Sequence, residues 1–128
     1  MREIRFRAWD MVRETMIKDF TNEAYLLALE SFDNVWKNDR YIKMESTGLE
    51  YNFHKYFEHD ICEMQIPVAN GSRKKETIRG YIKFQYGAFF LEEIGEKKRC
   101  WIFVEVASMD NSNVKYLGNI HENKELSL

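Results

Sequence analysis

The stretch IRGYIKFQYGAFFL, residues 78–91, decides the fold class of this chain. In its first half, small or apolar residues alternate with polar ones, which is the pattern of a strand with one face against a core. Tyr86-Gly87 then marks a turn, and the residues from Ala88 to Leu91 are apolar on both faces. The stretch therefore predicts two strands joined by a short turn.

Similar patterns lie on both sides of this hairpin. Alternation recurs at residues 4–9, 41–45 and 62–68, a last strand is predicted at 114–120, and Met16-Ile17 allows one more short strand. Several short strands separated by turn signals indicate a small barrel or sandwich, so the predicted fold class is mainly β.

Two segments stand apart from the alternating ones. The run from Cys100 to Val106 is apolar on both faces and predicts a central strand. Residues 22–37 predict one helix, because Asn22 or the preceding Thr21 can cap it and apolar residues recur near helical spacing.

Composition limits the classes of function. The 128 residues fit one domain, 1–128, and a net charge of −2 gives no global attraction to nucleic acid or to an anionic membrane. No apolar run is long enough to cross a membrane, and the N-terminus lacks the apolar region of a secretory signal. We therefore expect a cytoplasmic protein in which Cys62 and Cys100 are buried, reduced thiols.

Three groups of residues carry a family resemblance. They are MREIRFRAWD at 1–10, TGL at 47–49 with YFEHDI at 56–61, and GNIHEN at 118–123 followed by Glu125-Leu126. With GYIKF at 80–84 and Gly87-Ala88-Phe89 between them, the chain resembles the YopX family of phage and prophage proteins. The resemblance implies a small SH3-like barrel or roll with an N-terminal strand element, a homo-oligomer and a bacterial host cell. It implies no activity.

Two positions depart from the family pattern. The family usually has an Asn-Gly turn between its TGL and YEGDI segments, where this chain has Glu50 to Lys55. His59 stands where a glycine is usual, which implies a relaxed turn or a modest strain there.

The densest group of titratable residues is at 58–62. Glu58 and Asp60 could supply paired carboxylates for acid–base chemistry. They are two residues apart at a strand entry, where an Asp commonly bonds to nearby backbone, so a structural turn is the favoured interpretation.

A metal site or a nucleophilic cysteine has less support. His54, His59 and His121 with Cys62 lack the paired spacing of structural zinc sites. Both cysteines lie in apolar runs, and no phosphate loop, dinucleotide-binding pattern or serine-nucleophile motif is present. We therefore predict no catalytic residues, no cofactor and no metal.

The remaining feature is basic. Two predicted loops, 73–75 and 97–99, carry the candidate nucleic-acid-binding residues: Arg73, Lys74, Lys75, Lys97, Lys98 and Arg99. Arg5 and Arg7 fall on the same face of the first strand as Trp9, opposite its apolar face. Basic loops beside aromatic strands can bind single-stranded nucleic acid, but the acidic residues between 92 and 96 favour an ordinary solvated surface.

The leading hypothesis is a non-enzymatic phage accessory protein that acts through protein–protein contacts as a homo-oligomer, with a phage or host protein as a further partner. The alternative is a nucleic-acid-binding module that uses loops 73–75 and 97–99. An enzyme using Glu58, Asp60 and a histidine is the third possibility. No membrane partner is expected.

Overall fold

The structure is a computed structural model that describes residues 5–17, 39–67, 74–108 and 114–127. Within these ranges the chain forms nine strands, one short α-helix and one 3-10 helix. The elements are β1 Phe6–Asp10, β2 Thr15–Ile17, β3 Tyr41–Tyr51, β4 His54–Phe57, β5 Asp60–Pro67, β6 Lys75–Gln85, β7 Ala88–Glu93, β8 Cys100–Ile102, α1 Phe103–Ser108, β9 Lys115–Asn119 and the 3-10 helix Lys124–Ser127.

The first half of the chain builds a four-stranded sheet of order β2-β1-β3-β4, with every pair antiparallel. Asp10 holds the turn after β1, because its carboxylate accepts hydrogen bonds from the backbone N–H groups of Val12 and Arg13. The same carboxylate accepts from the Arg40 guanidinium at 2.8 Å, which lowers the Asp10 pKa to about 2.

The second half builds a five-stranded antiparallel sheet of order β8-β7-β6-β5-β9. Gly80 lies in the middle of β6 on the core face. A Cβ there would come within 2.8 Å of the Glu92 carbonyl and the Leu91 side chain, so no larger residue fits without movement.

The main core lies on one face of this sheet. Aromatic side chains of the β3–β4 hairpin and apolar side chains of α1 pack against it. The fully or largely buried members are Tyr56, Cys62, Met64, Ile66, Ile78, Ile82, Leu91, Phe103, Val106, Ala107 and Val114.

The mainly β class is confirmed, as are the hairpin at 78–91, the short strand at Met16-Ile17 and the Tyr86-Gly87 turn. Pro67 is the last residue of β5, where a missing N–H is tolerated. The helix predicted at 22–37 and residue Arg73 lie outside the described residues.

The central strand predicted at Cys100–Val106 is wrong. The strand ends at Ile102, β8 is an edge strand, and α1 follows directly. Phe103, Val106 and Ala107 are the buried residues of α1, and their spacing of three and four is helical. A continuous apolar run fits both the two-residue period of a strand and the helical period of about 3.6 residues, and residues 103–108 adopt the helix.

Two predictions of burial also fail. Cys62 is buried as expected, but Cys100 is exposed because it lies on the edge strand. In β1, Arg7 and Trp9 are buried together with Ala8 on the opposite face, so this strand is covered on both faces.

Among the helices that the described ranges contain, none is both long and apolar enough to cross a membrane.

Candidate functional site: a polar junction between the two sheets

Asp60, the first residue of β5, is the centre of a polar junction that joins the two sheets. It is completely buried. Its Oδ2 accepts a hydrogen bond from the Phe57 backbone N–H at 2.8 Å and contacts His54 Nε2 at 3.0 Å. Its Oδ1 lies 2.8 Å from Arg7 Nη2, an ion-pair contact outside hydrogen-bond geometry. One carboxylate therefore contacts β1, β4 and the turn that leads into its own strand.

Arg7 reaches this carboxylate from β1 in the other sheet. Its Nη2 also donates to the Glu58 carbonyl at 2.8 Å, and its guanidinium lies over the Phe57 ring, 4.9 Å from the ring centroid. Its side chain is only 8% exposed. A charge buried to this extent requires a partner, and Asp60 supplies it.

The turn between β4 and β5 connects both sheets through its backbone. His59 adopts a φ of +70°, which is a left-handed conformation. Glycine adopts this conformation readily, and glycine is the usual residue at this position. Its N–H donates to Ile82 in β6, and its carbonyl accepts from Ile120 after β9. The neighbouring Glu58 accepts from the Glu45 N–H through Oε1, and burial raises its pKa. Of the two alternatives left open for His59, the positive φ favours the modest strain, and backbone hydrogen bonds to the five-stranded sheet hold the residue in this conformation.

A pair of histidines continues the junction toward the surface. His59 Nδ1 and His121 Nε2 lie 2.8 Å apart, and the His121 ring stacks on Trp9 with 5.5 Å between centroids. Burial is the main cause that lowers the pKa of each histidine to about 4, and the nearby Arg7 charge adds to it. At neutral pH both rings are uncharged, so one donates and the other accepts.

The turn at 119–123 presents His121 in this position. The Asn119 side-chain oxygen accepts from the N–H groups of His121 and Glu122, and its amide donates to Glu122. Asn123 Oδ1 accepts in turn from the Asn119 N–H. Gly118 has a φ of +147°, and a Cβ there would collide with the Asn123 side chain. Each polar residue of this turn thus has a defined structural role.

The resemblance segments therefore converge. Arg7 and Trp9 from the first segment, the residues at 56–61 from the second and those at 118–123 from the third meet in one junction. Thr47 extends it, because its hydroxyl donates to the Tyr56 carbonyl and accepts from the Leu49 N–H.

The sequence model of the YopX protein family matches residues 5–127. The chain belongs to the YopX family.

The crystal structure of protein EF1440 from Enterococcus faecalis is similar to this YopX-family chain. The two share 23% sequence identity and a TM-score of 0.59, and the alignment covers 100% of each chain. At this identity the likeness concerns the fold. The search of curated proteins gives no match.

The junction explains the acidic pair that the sequence analysis considered for acid–base chemistry. Asp60 bonds to its own turn, as the structural interpretation predicts, and Glu58 bonds to the β3 backbone. The four residues weighed as a zinc site do not meet at one point: His59 contacts His121, whereas His54 contacts Asp60 and stacks on Tyr116. Cys62 lies in the core, where burial raises its thiol pKa to about 12. Within the described ranges, no group of three or more metal-ligating residues forms a cluster.

Two basic residues of loop 97–99, Lys97 and Arg99, form ion pairs with acidic residues. Arg99 bonds to Glu93 through Nε and Nη2 and to Glu76 through Nη1 at 2.6 Å, and Lys97 lies 3.8 Å from Glu76. The hydrogen bonds from Arg99 are the main cause that lowers the pKa values of Glu76 and Glu93, and the charges of Arg99 and Lys97 add to the effect.

The other basic candidates are more dispersed. Lys74 and Lys75 are exposed at the start of β6, and Arg73 precedes them outside the described residues. Lys98 has a φ of +48° and lines a cavity of about 600 Å³ with Tyr81 and Glu92, which bond to each other.

The sequence analysis missed one conspicuous feature, the turn of the β3–β4 hairpin. Tyr51 pairs with His54, so the turn consists of Asn52 and Phe53, with φ values of +50° and +66°. Phe53 is fully exposed. The two-residue turn of the family is thus retained, with a phenylalanine in the place of its glycine. The asparagine was the available signal, since Asn tolerates this conformation.

Proposed function

We propose that this YopX-family chain is a non-enzymatic accessory protein of a phage or prophage, which works in the bacterial cytoplasm through protein–protein contacts as a homo-oligomer. An SH3-like barrel architecture is part of the same proposal. The junction supports a structural rather than catalytic role for its polar residues, because their hydrogen-bonding groups are used to join backbone segments of the two sheets.

Exposed apolar side chains carry the proposal. A small monomer can leave single apolar residues exposed, but here large ones are exposed at hairpin tips, on an edge strand and on the helix that follows it. They are Met11, Val12, Phe53, Phe84, Tyr86, Ile102, Val104 and Tyr116.

Backbone conformation at the two hairpin tips supports the same proposal. Phe53 is 100% exposed and Tyr86 is 90% exposed, and both have positive φ. A positive φ is strained in a large residue, and an exposed side chain makes no packing contacts within one chain that would offset this strain. Contact with another protein would supply that packing.

Nucleic-acid binding is the second candidate. The exposure of Lys75 and of Lys97, whose side chain is 66% exposed, favours it. The acidic partners of loop 97–99, Glu76 and Glu93, weaken it, because phosphate would have to displace them.

Sedimentation analysis from about 1 to 100 µM separates these candidates when combined with fluorescence anisotropy on labelled DNA and RNA. We expect a concentration-dependent oligomer and no salt-sensitive gain in anisotropy. A strict monomer over the whole range would contradict self-association. Nucleic-acid binding that weakens steeply with salt would establish the second candidate instead.

A further inference from the structure

We propose that the outer edge of β8 is a self-pairing surface, on which a second copy of this chain adds its own β8 antiparallel, with Cys100 opposite Ile102 of the second copy. The inference rests on the proposed self-association and assigns it a surface and a register.

The backbone of β8 fixes which groups face outward. The Glu93 N–H donates to the Arg99 carbonyl at 2.7 Å, so this opposed pair is a hydrogen-bonded one. Bonding direction alternates along an antiparallel strand, so Trp101, opposite Leu91, also directs its N–H and C=O toward β7. The N–H and C=O groups of Cys100 and Ile102 therefore point away from the sheet. Among the described strands, β8 pairs with β7 alone.

These outward groups define the register. When two β8 strands approach antiparallel about a twofold axis at Trp101, Cys100 of each copy faces Ile102 of the other as a hydrogen-bonded pair. The two pairs supply four N–H···O=C bonds. Trp101 then faces Trp101 of the second copy, and aromatic pairs stabilise such a position.

The side chains along this edge suit an apolar contact. Cys100 and Ile102 are exposed on the outer face of the sheet, and Ile102 lies opposite Phe90 of β7 on that same face. Val104, at the start of α1, is 49% exposed. Because the strand is short, four backbone hydrogen bonds give the dimer only part of its stability, and burial of these side chains adds to it.

Charge complementarity favours a second copy over an unrelated partner. Basic Lys97 and Lys98 precede β8, and acidic Glu105 follows it; all three are exposed. Antiparallel pairing about Trp101 brings the basic end of one copy's edge to the end of the other copy's edge where α1 carries Glu105. The edge is therefore basic at one end, apolar in the middle and acidic at the other end, and it complements itself when rotated by half a turn.

The opposite edge of the same sheet, β9, is not open to pairing with a second copy. At β9, Tyr116 stacks on His54, with 3.7 Å between centroids, and Asn52 donates to the Val114 carbonyl. The β3–β4 hairpin therefore covers the β9 edge. Of the two edges of the five-stranded sheet, β8 is the one that presents outward backbone groups beside exposed apolar side chains.

Directed disulfide formation tests the register. In the variant Ile102→Cys, the new thiol faces Cys100 of the second copy at about 5.5 Å between Cα atoms, which a disulfide can span. Under mild oxidation we expect most of this full-length variant to become a covalent dimer, in which mass spectrometry finds the introduced thiol linked to Cys100. Val104→Cys is the matched control, since position 104 is exposed but lies in α1, beyond the paired residues 100–102, and gives little dimer. Equal cross-linking of both variants, or of neither, would overturn the register.

Charge reversal gives a test that introduces no covalent link. Lys97→Glu and Glu105→Lys should each weaken the dimer about tenfold, because each makes the two ends that meet in the antiparallel dimer carry like charges, and the double variant should recover most of the wild-type affinity. Circular dichroism and thermal melting confirm that each variant is folded. Absence of this recovery would remove the predicted alignment.

The outcomes separate this inference from the proposed function. If wild-type protein is monomeric at every concentration, self-association and the β8 surface are both wrong. If it is oligomeric but the β8 variants do not cross-link or weaken as described, the proposed function stands and another surface mediates the assembly.

Discussion

The two sides of the five-stranded sheet differ in how they are covered. On the β5–β9 side, a buried ion pair, a histidine pair and an Asn-centred turn join the sheet to the rest of the chain. On the β7–β8 side, a three-residue strand presents exposed Cys100 and Ile102. The first side uses its polar groups within the chain, whereas the second leaves backbone groups directed outward. The contacts that stabilise the chain and the edge proposed for association therefore lie in separate regions, which can be perturbed independently.

The largest effect is expected at Asp60. Asp60→Ala removes the carboxylate that pairs with buried Arg7, and an uncompensated buried charge should lower the free energy of unfolding by about 3–5 kcal/mol. Urea denaturation measures the loss. Glu63→Ala in the same strand is the control, because its carboxylate lies 3.6 Å from the exposed Arg79 and should cost less than about 1 kcal/mol.

Similar losses in both variants would mean that the junction is no more important than a surface ion pair. If Asp60→Ala does not fold, Asp60→Asn retains an acceptor for the Phe57 N–H and should show an intermediate loss.

The histidine pair predicts an effect of intermediate size. The pKa values of His59 and His121 are about 4 in the folded chain and near 6.5 in the unfolded one, so the unfolded state binds more protons between these limits. The free energy of unfolding should therefore fall as the pH drops from about 6.5 toward 4. We expect a loss of about 2 kcal/mol, well below the full linkage value, because both rings are partly solvated.

Chemical denaturation at several pH values, compared between wild type and His121→Phe, measures this effect. The phenylalanine keeps a ring against Trp9 and removes one titrating group, so the pH dependence should become shallower. Glu58 titrates in the opposite sense because its pKa is raised, but it is common to both proteins and cancels in the difference. Parallel pH curves for the two proteins would contradict the assignment.

The smallest effect concerns the β3–β4 turn. Phe53→Gly should raise the free energy of unfolding by about 1 kcal/mol, because glycine tolerates the φ of +66° and a fully exposed ring contributes no packing. Thermal melting measures the gain. Gly87→Ala is the reverse control, since the position has a φ of +78° and open space around it, and it should lose stability. A loss in Phe53→Gly would mean that the ring packs within the monomer.

The sequence predicted the strands well because alternation is a local property. The pairing of β6 and β7 and the exposed turn at Tyr86-Gly87 follow from neighbouring residues alone. The segment 100–108 was mistaken because its apolar run fits both a strand and a helix, and only packing of Phe103 against Tyr51 and Tyr56 selects the helix.

The junction could be predicted only in part. The family segments named most of its residues, but no spacing in the sequence brings Arg7 to Asp60 or His59 to His121. For the same reason Arg7 was placed on a basic surface, although it is buried against its partner. Contacts between distant segments depend on topology, which local patterns do not contain.

The His59–His121 contact spans 62 residues, and Trp9 of β1 stacks on the same His121 ring. During synthesis on a ribosome, β1 and the β4–β5 turn emerge long before the segment that completes the junction. Arg7 and Asp60 can meet earlier, but Trp9 and His59 acquire their last neighbour only when residues 118–123 leave the exit tunnel. Non-local contacts of this kind slow folding, so the junction should be completed only by closure of the turn at 118–123.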